Sequence, residues 1–528
     1  MPSQTTSESS PLLPQAPTPT GSDHVAASVV LSQRRAMIVI TLVGGLSFFS
    51  SFCNGIVVIA LPAMQPALGL PEGLLVWPSS SYFLTAGSCL LLAGSLADVV
   101  GNKRVNLVGS FLAAVSALAC GLAKTAGEMI TYRAIQGITY AIITPSSISI
   151  ISSSVKEGRL RNMGFACMGF SQPIGFCMGL TLAGLFTETI GWRSAFYLAA
   201  AVSGLLFLIG IWALPRDIRP EAEAGPSIWK RLVVEIDLVG VAVASTGLAL
   251  LSYVLATLSS DINNIRKTSS IVLLMLACLC VPLFATWMHC QVRNSRVALI
   301  PNSLWQSHVF TSLCIMVLLS NALANCMELY SSFFFQQVQG TSAVKASLQV
   351  APSLVAGTMA SILTGMSAHR MSSFLWMLLV SSVISTFAPL LMAVVRTNQP
   401  YWQNALFAQI LTPINCDVLF PLGLLTISDI FPQNMQALSG AVFNTCAQLG
   451  GAIGMSVTQL IASSVTSGSP YPDKSSPEAL MEGYRASFWT MFAWMVFLCV
   501  VCLLGMRRIG KEGSVDVSFG HQPSRVTL

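Results

Sequence analysis

Residues 94–107 read G-S-L-A-D-V-V-G-N-K-R-V-N-L, and they lie between two long apolar runs. A stretch flanked in this way is a short turn at a membrane face. It packs Asp98, Lys103 and Arg104 into a chain otherwise nearly free of charge. Gly94 and Gly101 let two helix ends approach closely, and Gly101 can take the positive φ that a tight reversal needs. Taken alone, such a stretch could be no more than a positively charged turn that sets topology. The sequence on either side decides how much more it does.

That sequence is membrane protein throughout. Of the 528 residues 53% are hydrophobic and only 9% charged, with a mean hydropathy of +0.70. Soluble domains carry about 25% charged residues, so a water-soluble globule is excluded. Apolar runs of about 20 residues recur along the chain, each long enough to cross a ~30 Å hydrocarbon core as a helix. The net charge of +6 reflects loops at one membrane face and does not point to nucleic acid. The fourteen Cys are scattered singly through apolar runs, as buried thiols are, with no disulfide framework or metal-ligand spacing. Cys278 and Cys280 both fall within one run. No apolar region precedes Met37, so no cleavable signal peptide is expected and the first span serves as the targeting signal.

Fourteen spans are expected, near 37–60, 75–96, 105–123, 128–151, 163–186, 193–213, 236–257, 269–289, 308–335, 346–368, 373–395, 402–427, 437–464 and 486–506. With the N-terminus in the cytoplasm, seventeen Lys/Arg flank the cytoplasmic side and eight the other, the bias that orients membrane proteins. The predicted fold class is an all-α polytopic membrane protein organised as six, two and six spans. Residues 1–36 form a disordered cytoplasmic tail rich in Ser, Thr and Pro, with an acidic dileucine pattern from Glu8 to Leu13. A first six-helix bundle covers 37–213. A charged connection and spans 7 and 8 cover 214–300, a second six-helix bundle 301–506, and a cytoplasmic tail 507–528. Residues 163–184 and 437–459 are both rich in small residues, as closely packed helices require, and hint at internal symmetry.

Polar residues inside the membrane are costly and usually functional. In span 4, Arg133, Gln136, Gly137, Tyr140 and Thr144 fall on one helical face, expected to line a water-filled cavity. In span 9, Asn321, Asn325, Glu328 and Ser332 form a polar stripe on an otherwise apolar helix. Charging a carboxyl there is expensive, so Glu328 is a candidate proton carrier or a partner for a cationic substrate. Span 12 carries Asp417 between Pro413 and Pro421. Pro421 cannot donate to the Asp417 carbonyl, and an acid beside a free carbonyl in a broken helix suits an ion or proton site. In span 13, Asn444, Gln448 and Gly451 share a face, while Gly440, Gly450 and Gly454 allow close packing. Gly175 and Gly179 do the same one turn apart in span 5, beside Gln172 and Pro173. Ser47, Ser51 and Asn54 form a polar face on span 1.

Several of these stretches carry a resemblance. The pattern G-x-L-A-D-x-x-G-x-K-R-x-x-x-L at 94–107 resembles the loop between spans 2 and 3 of major facilitator superfamily transporters. The resemblance implies a gate latch made by Gly94, Asp98, Gly101, Lys103 and Arg104. Val99 and Asn102 stand where the family usually has basic residues, which implies a weaker latch. R-A-I-Q-G from Arg133 resembles the family's R-x-x-x-G, whose Arg assists proton transfer in proton-coupled members. G-F-S-Q-P-I-G from Gly169 loosely resembles the Gly/Pro motif of the family's exporters. With I-A-L-P-A-M-Q from Ile59 and the count of fourteen, the chain is similar over 37–506 to the fourteen-span drug:proton antiporter group, in its fungal aminotriazole-resistance-like branch. Bacterial relatives have an acid in span 1 where this chain has Cys53, which shifts proton coupling toward Glu328 and Asp417.

The implied function is a proton-coupled exporter of small organic molecules, working by alternating access. Arg133, Glu328 and Asp417 would handle charge, and Asn54, Gln136, Tyr140, Gln172, Asn325, Asn444 and Gln448 would line the substrate cavity. The alternatives are a facilitator for a small polar solute, such as ammonium, borate or an organic acid, and a non-transporting nutrient sensor. No phosphate-binding loop points to ATP, and no enzyme, cofactor or metal site is expected. The partners are a small-molecule substrate, protons and the lipid bilayer, with no nucleic acid, and the chain is expected to act as a monomer. The plasma membrane is the expected location, with a vacuolar or endosomal membrane as the alternative.

Overall fold

The computed structural model describes residues 31–155, 158–215, 237–260, 262–294, 299–300, 302–367 and 374–505. The expected tails, the dileucine pattern and most of the cytoplasmic connection lie outside them. Fourteen helical segments are long and apolar enough to cross a membrane, matching the fourteen expected runs.

The first six are α1 (Gln33–Leu68), α2 (Trp77–Val100), α3 (Asn102–Leu122), α4 (Ala126–Ser154), α5 (Arg159–Thr189) and α6 (Arg193–Ala213). Then come α7 (Leu238–Ser260) and α8 (Thr268–Arg293), which pack against each other as a hairpin. The last group is α9 (His308–Phe333), α10 (Ala343–Ser367), α11 (Phe374–Ala393), α12 (Ala405–Leu411), α13 (Ile414–Ile430), α14 (Gln433–Gly468) and α15 (Pro477–Gly505). The short α12 and the longer α13 together make one span, broken at Thr412–Pro413. The break therefore falls at Pro413, and α13 runs on through Pro421.

Most boundaries shift by a few residues, and the largest shifts are the start of α15, expected at 486 and found at Pro477, and the end of α1. The first span was placed at 37–60, but α1 begins at Gln33 and continues through Pro62 and Pro66. It stops where Gly69 takes a left-handed conformation (φ 62°) and its N–H bonds the Gln65 carbonyl, a glycine cap that outranks the prolines as a stop signal. The tail predicted to reach residue 36 is thus already ordered at Leu31, which is buried and whose N–H donates to the Ser154 carbonyl at 3.2 Å.

The two six-span groups repeat one packing pattern. Helix α1 lies along α5 as α9 lies along α14, α3 along α6 as α11 along α15, and α2 along α4 as α10 along α12 and α13. Hydrocarbon supplies no hydrophobic force between helices, so close packing has to hold them. A Cβ added at Gly175 would sit 2.2 Å from the Phe48 carbonyl oxygen, and one at Gly179 would sit 2.2 Å from that of Phe52. In the other half a Cβ at Gly450 would lie 2.0 Å from the Leu318 carbonyl oxygen, and one at Gly454 would lie 2.7 Å from Ala322 Cβ. Each half thus has a glycine pair one turn apart, pressed on positions one turn apart in its partner. Polar clasps repeat as well. Asn106 Nδ2 on α3 donates to the hydroxyls of Ser146 (3.1 Å) and Ser147 (3.0 Å) on α4. Asn415 Nδ2 on α13 donates to those of Ser381 (3.4 Å) and Ser382 (2.8 Å) on α11.

The halves meet along two seams, α2 with α14 and α5 with α10. The hydrogen bonds joining the halves gather at the end away from the start of α1, the non-cytoplasmic end on the expected topology. Ser332 donates to the Val58 carbonyl (2.8 Å), Gln336 to that of Ile59 (3.0 Å) and Gln459 to that of Glu72 (2.6 Å). The Val344 N–H donates to the Glu188 carboxylate at 2.8 Å.

The glycine crossings make a stability prediction. Gly175→Ala and Gly450→Ala each force a methyl into a carbonyl oxygen, and overpacking of this kind costs about 1–3 kcal/mol. Both should lower the unfolding temperature of the detergent-purified protein. Gly365→Ala, where an added Cβ meets nothing within 4 Å, should leave it unchanged or raise it.

Candidate functional site

The span 4 arginine is the most constrained charge among the described residues. Arg133 sits in the second turn of α4 and is 0% exposed, so it does not snorkel to the membrane surface. Its Nε donates to the Pro78 carbonyl at 2.9 Å, and its terminal nitrogens donate to Gln136 Oε1 and Asn54 Oδ1, each at 2.5 Å. The guanidinium lies 4.7 Å from the centre of the Tyr82 ring, and the Tyr82 hydroxyl in turn meets Ser50 Oγ at 3.1 Å. Helices α1, α2 and α4 are thereby tied around one cation, held by carbonyls, amides and a ring face. The described residues place no carboxylate within ion-pair distance of it.

Gly137 allows this arrangement. A Cβ there would lie 2.2 Å from both the Tyr82 carbonyl oxygen and Thr85 Oγ1, so α4 presses its backbone onto α2. The face expected to line a water-filled cavity is thus largely turned inward. Arg133, Gln136, Gly137 and Tyr140 are all buried, and Thr144 is half-buried. Gln136 borders a small pocket of about 20 Å³ with Cys53 and Thr139. Tyr140 lies beside Thr144 and Gln448.

The span 9 stripe is the less buried face of α9, turned toward α13 and α14. Asn321, Asn325 and Glu328 are half-exposed, whereas Ala322, Leu323, Cys326, Met327, Leu329 and Tyr330 around them are buried. Ser332 leaves the stripe: it is buried and bonded to Val58 across the closed end. Glu328 and Asp417 are near enough to interact electrostatically across α9 and α13. Asp417 lies in the first turn of α13, where the helix dipole favours negative charge. Its carboxylate rests against Gly357 of α10, where an added Cβ would fall 2.1 Å from Oδ2. The Asp417 carbonyl is not left free as expected, because the Ser361 hydroxyl reaches it at 3.5 Å. Sequence reasoning passed over Gly357 and Ser361, whose only signal is their spacing of one helical turn.

Asn54, Gln172, Asn444 and Gln448 are half-exposed, and a Cβ added at Gly451 of α14 would lie 3.4 Å from Asn325 Nδ2. The predicted residues therefore fall into two groups. Asn54, Arg133 and Gln136 are bonded together inside the first half. Asn325, Glu328 and Asp417 belong to the second half, whereas Gln448 of α14 lies beside Tyr140 of the first. Gln172 is half-exposed on α5 and joins neither group through a described bond.

At the 94–107 turn, Gly101 has φ 110° and ends α2 as α3 begins, as a tight reversal requires. Gly94 makes no close approach, since an added Cβ would meet only Pro145 at 4.0 Å. Lys103 Nζ donates to the Ile211 (3.1 Å) and Leu214 (2.8 Å) carbonyls, a cation capping the end of α6. Arg35 adds bonds to the Ala213 and Trp212 carbonyls there. Arg104 is exposed, and the Asp98 side chain lies outside the described residues.

Residues 43–407 match the Major Facilitator Superfamily. The chain is 34% identical to "MFS-type transporter 1" of Pyricularia oryzae, over 92% of this chain and 86% of that protein. It is 26% identical to the "Low affinity ammonium transporter" of Saccharomyces cerevisiae, over 79% and 78% of the two chains. It is 25% identical to the "Efflux pump terJ" of Aspergillus terreus, over 82% and 81%. A bacterial homologue of the human lysosomal transporter Spinster superposes with a TM-score of 0.64 at 12% identity, covering 91% of this chain and 99% of that one; this likeness concerns the fold. Paired six-span halves with fourteen spans among the described residues and these matches lead to one statement: the chain is a transporter of the major facilitator superfamily.

Proposed function

We propose that this transporter exports small organic molecules from the cytoplasm, exchanging them for protons by alternating access, and that it works in the plasma membrane. The facing carboxylates of Glu328 and Asp417 carry this reading. Two acids near each other in a site of low dielectric are costly to hold charged together, so the pair is suited to taking up and releasing a proton. The described residues of the first half offer no such pair. Arg133 is bonded there to the amides of Asn54 and Gln136, which do not titrate. Arg133 would fix the central helices of its half, and the proton would travel through the other half.

The bonds between the halves support a cycle. They lie at one end, use neutral donors throughout and one charged acceptor, the Glu188 carboxylate, and include none of the proton candidates. Breaking them would let the halves rock about the midplane and open the cleft to the other side. Asn325, Asn444 and Gln448 would meet the substrate. Export is supported by a relative named as an efflux pump. A second reading, uniport of a small solute such as ammonium, is favoured by the relative named as an ammonium transporter and by the missing span 1 acid.

Three outcomes follow. In proteoliposomes with an internal pH dye, substrate addition should move protons, and Glu328→Gln or Asp417→Asn should reduce that movement at least about tenfold, equivalent to ~1.4 kcal/mol. Solute flux without proton movement in the unaltered protein would favour uniport instead. Gly357→Ala keeps both acids but pushes the Asp417 carboxylate aside, so it should weaken coupling while solute binding persists. Arg133→Lys replaces a planar fork by a point charge that cannot hold three acceptors in that geometry. It should lower the unfolding temperature together with transport, and an unchanged unfolding temperature would contradict the role given to Arg133.

A further inference from the structure

The two seams between the halves are equivalent in the repeated packing pattern, because α10 corresponds to α2 and α5 to α14. Their surroundings differ. Helix α7 packs along both α2 and α14 and reaches the short 3₁₀ turn Glu72–Leu74. No described helix lies over α5 and α10 in the same way. Accordingly, none of the described residues of α2 is exposed, and neither is any described residue of α14 from Met435 to Ser464. On the other seam Ile174 of α5 is 51% exposed, and Val355 and Met359 of α10 are 62% and 58% exposed.

The α5–α10 seam is tight at only one end. There a Cβ at Gly184 would lie 2.9 Å from the Ala343 carbonyl oxygen, and Glu188 accepts the Val344 N–H. Towards the cytoplasmic end, on the expected topology, a Cβ at Gly169 of α5 or Gly365 of α10 would meet nothing within 4 Å.

A buried acid fastens the cover. Asp237, 5% exposed just before α7, accepts the N–H of Gly240 at 2.8 Å, Trp287 Nε1 at 2.9 Å and Gln291 Nε2 at 3.5 Å through Oδ1. Its Oδ2 accepts the N–H of Leu299 at 3.4 Å. One carboxylate thus ties the start of α7 to the end of α8 and to the lead-in of the second half. A Cβ at Gly240 would come within 2.4 Å of it, so the turn is built around the acid.

We propose that α7, pinned by Asp237, seals the α2–α14 seam, so that the cleft opens sideways to the bilayer only between α5 and α10. Amphiphilic, lipid-partitioning solutes then enter the cleft through that one side. The route for solute rests on the transport reading above, whereas the one-sided opening does not.

A lipid-phase aryl diazirine, photolysed with the full-length protein in phosphatidylcholine vesicles and mapped by peptide mass spectrometry, tests the opening without requiring transport. Label should appear on α5 and α10 and on the half-exposed stripe of α9, several-fold above that on α2 and α14. Gly169→Trp with Gly365→Trp should remove the α9 label while leaving that on α5 and α10. Asp237→Ala should bring α2 and α14 up to the level of α5. Trp287→Phe, which removes one bond to Asp237 and spares the acid, should move them part of the way if the alanine variant fails to fold. Equal label on both seams of the unaltered protein, or α9 label indifferent to the tryptophans, would overturn the proposal. If the labelling holds but no solute flux is found, the transport reading fails and the sealed seam stands.

Discussion

A hydrocarbon interior offers no partner to a polar group, and most of the structure follows from that constraint. Each buried polar side chain described above has another helix to bond to, or it faces the cleft. Arg133 shows the first outcome in its strictest form, with backbone, two amides and a ring gathered around one cation. The asparagine–serine clasps and the Asp237 knot show it at smaller stakes. Glu328 and Asp417 show the second. Both are half-exposed, and among the described residues no hydrogen-bond donor reaches either carboxyl, which separates a residue that holds the protein together from one suited to carrying a proton.

Close helix packing is the other half of the bargain. Glycine pairs on α5 and α14 let backbone meet backbone at the centre of each half, so the helices around the cleft keep their polar stripes in register. The bonds between halves are few and sit at one end. Stiff halves joined by a light closure are what a rocking mechanism needs, since closing and opening then cost little beside the packing within each half.

Much of this was legible in the sequence because period and composition carry it. Fourteen apolar runs gave fourteen spans, Gly101 took its positive φ, and Asn321, Asn325 and Glu328 do fall together on the less buried face of α9. What escaped depended on distant partners. The first span was expected to end at residue 60, yet α1 runs on through Pro62 and Pro66 and stops at Gly69. The span 4 stripe has the same helical spacing as the span 9 stripe, but Tyr82 and Asn54 turn it inward, and no local pattern distinguishes the two. Gly357 and Ser361 receive Asp417 from another helix, and Asp237 gathers donors fifty or more residues away. Side chains acting at such separations leave no periodic trace.

The central claim is that the proton belongs to the Glu328–Asp417 pair and not to the arginine node of the other half. Infrared difference spectroscopy of the reconstituted protein, stepped through pH, tests it most directly, because protonated carboxyl groups absorb apart from carboxylates. The account predicts a titrating carboxyl band that is altered in both Glu328→Gln and Asp417→Asn and kept in Asn54→Ala. A band that survives unchanged in both acid variants, or no titrating carboxyl band in the unaltered protein, would contradict it.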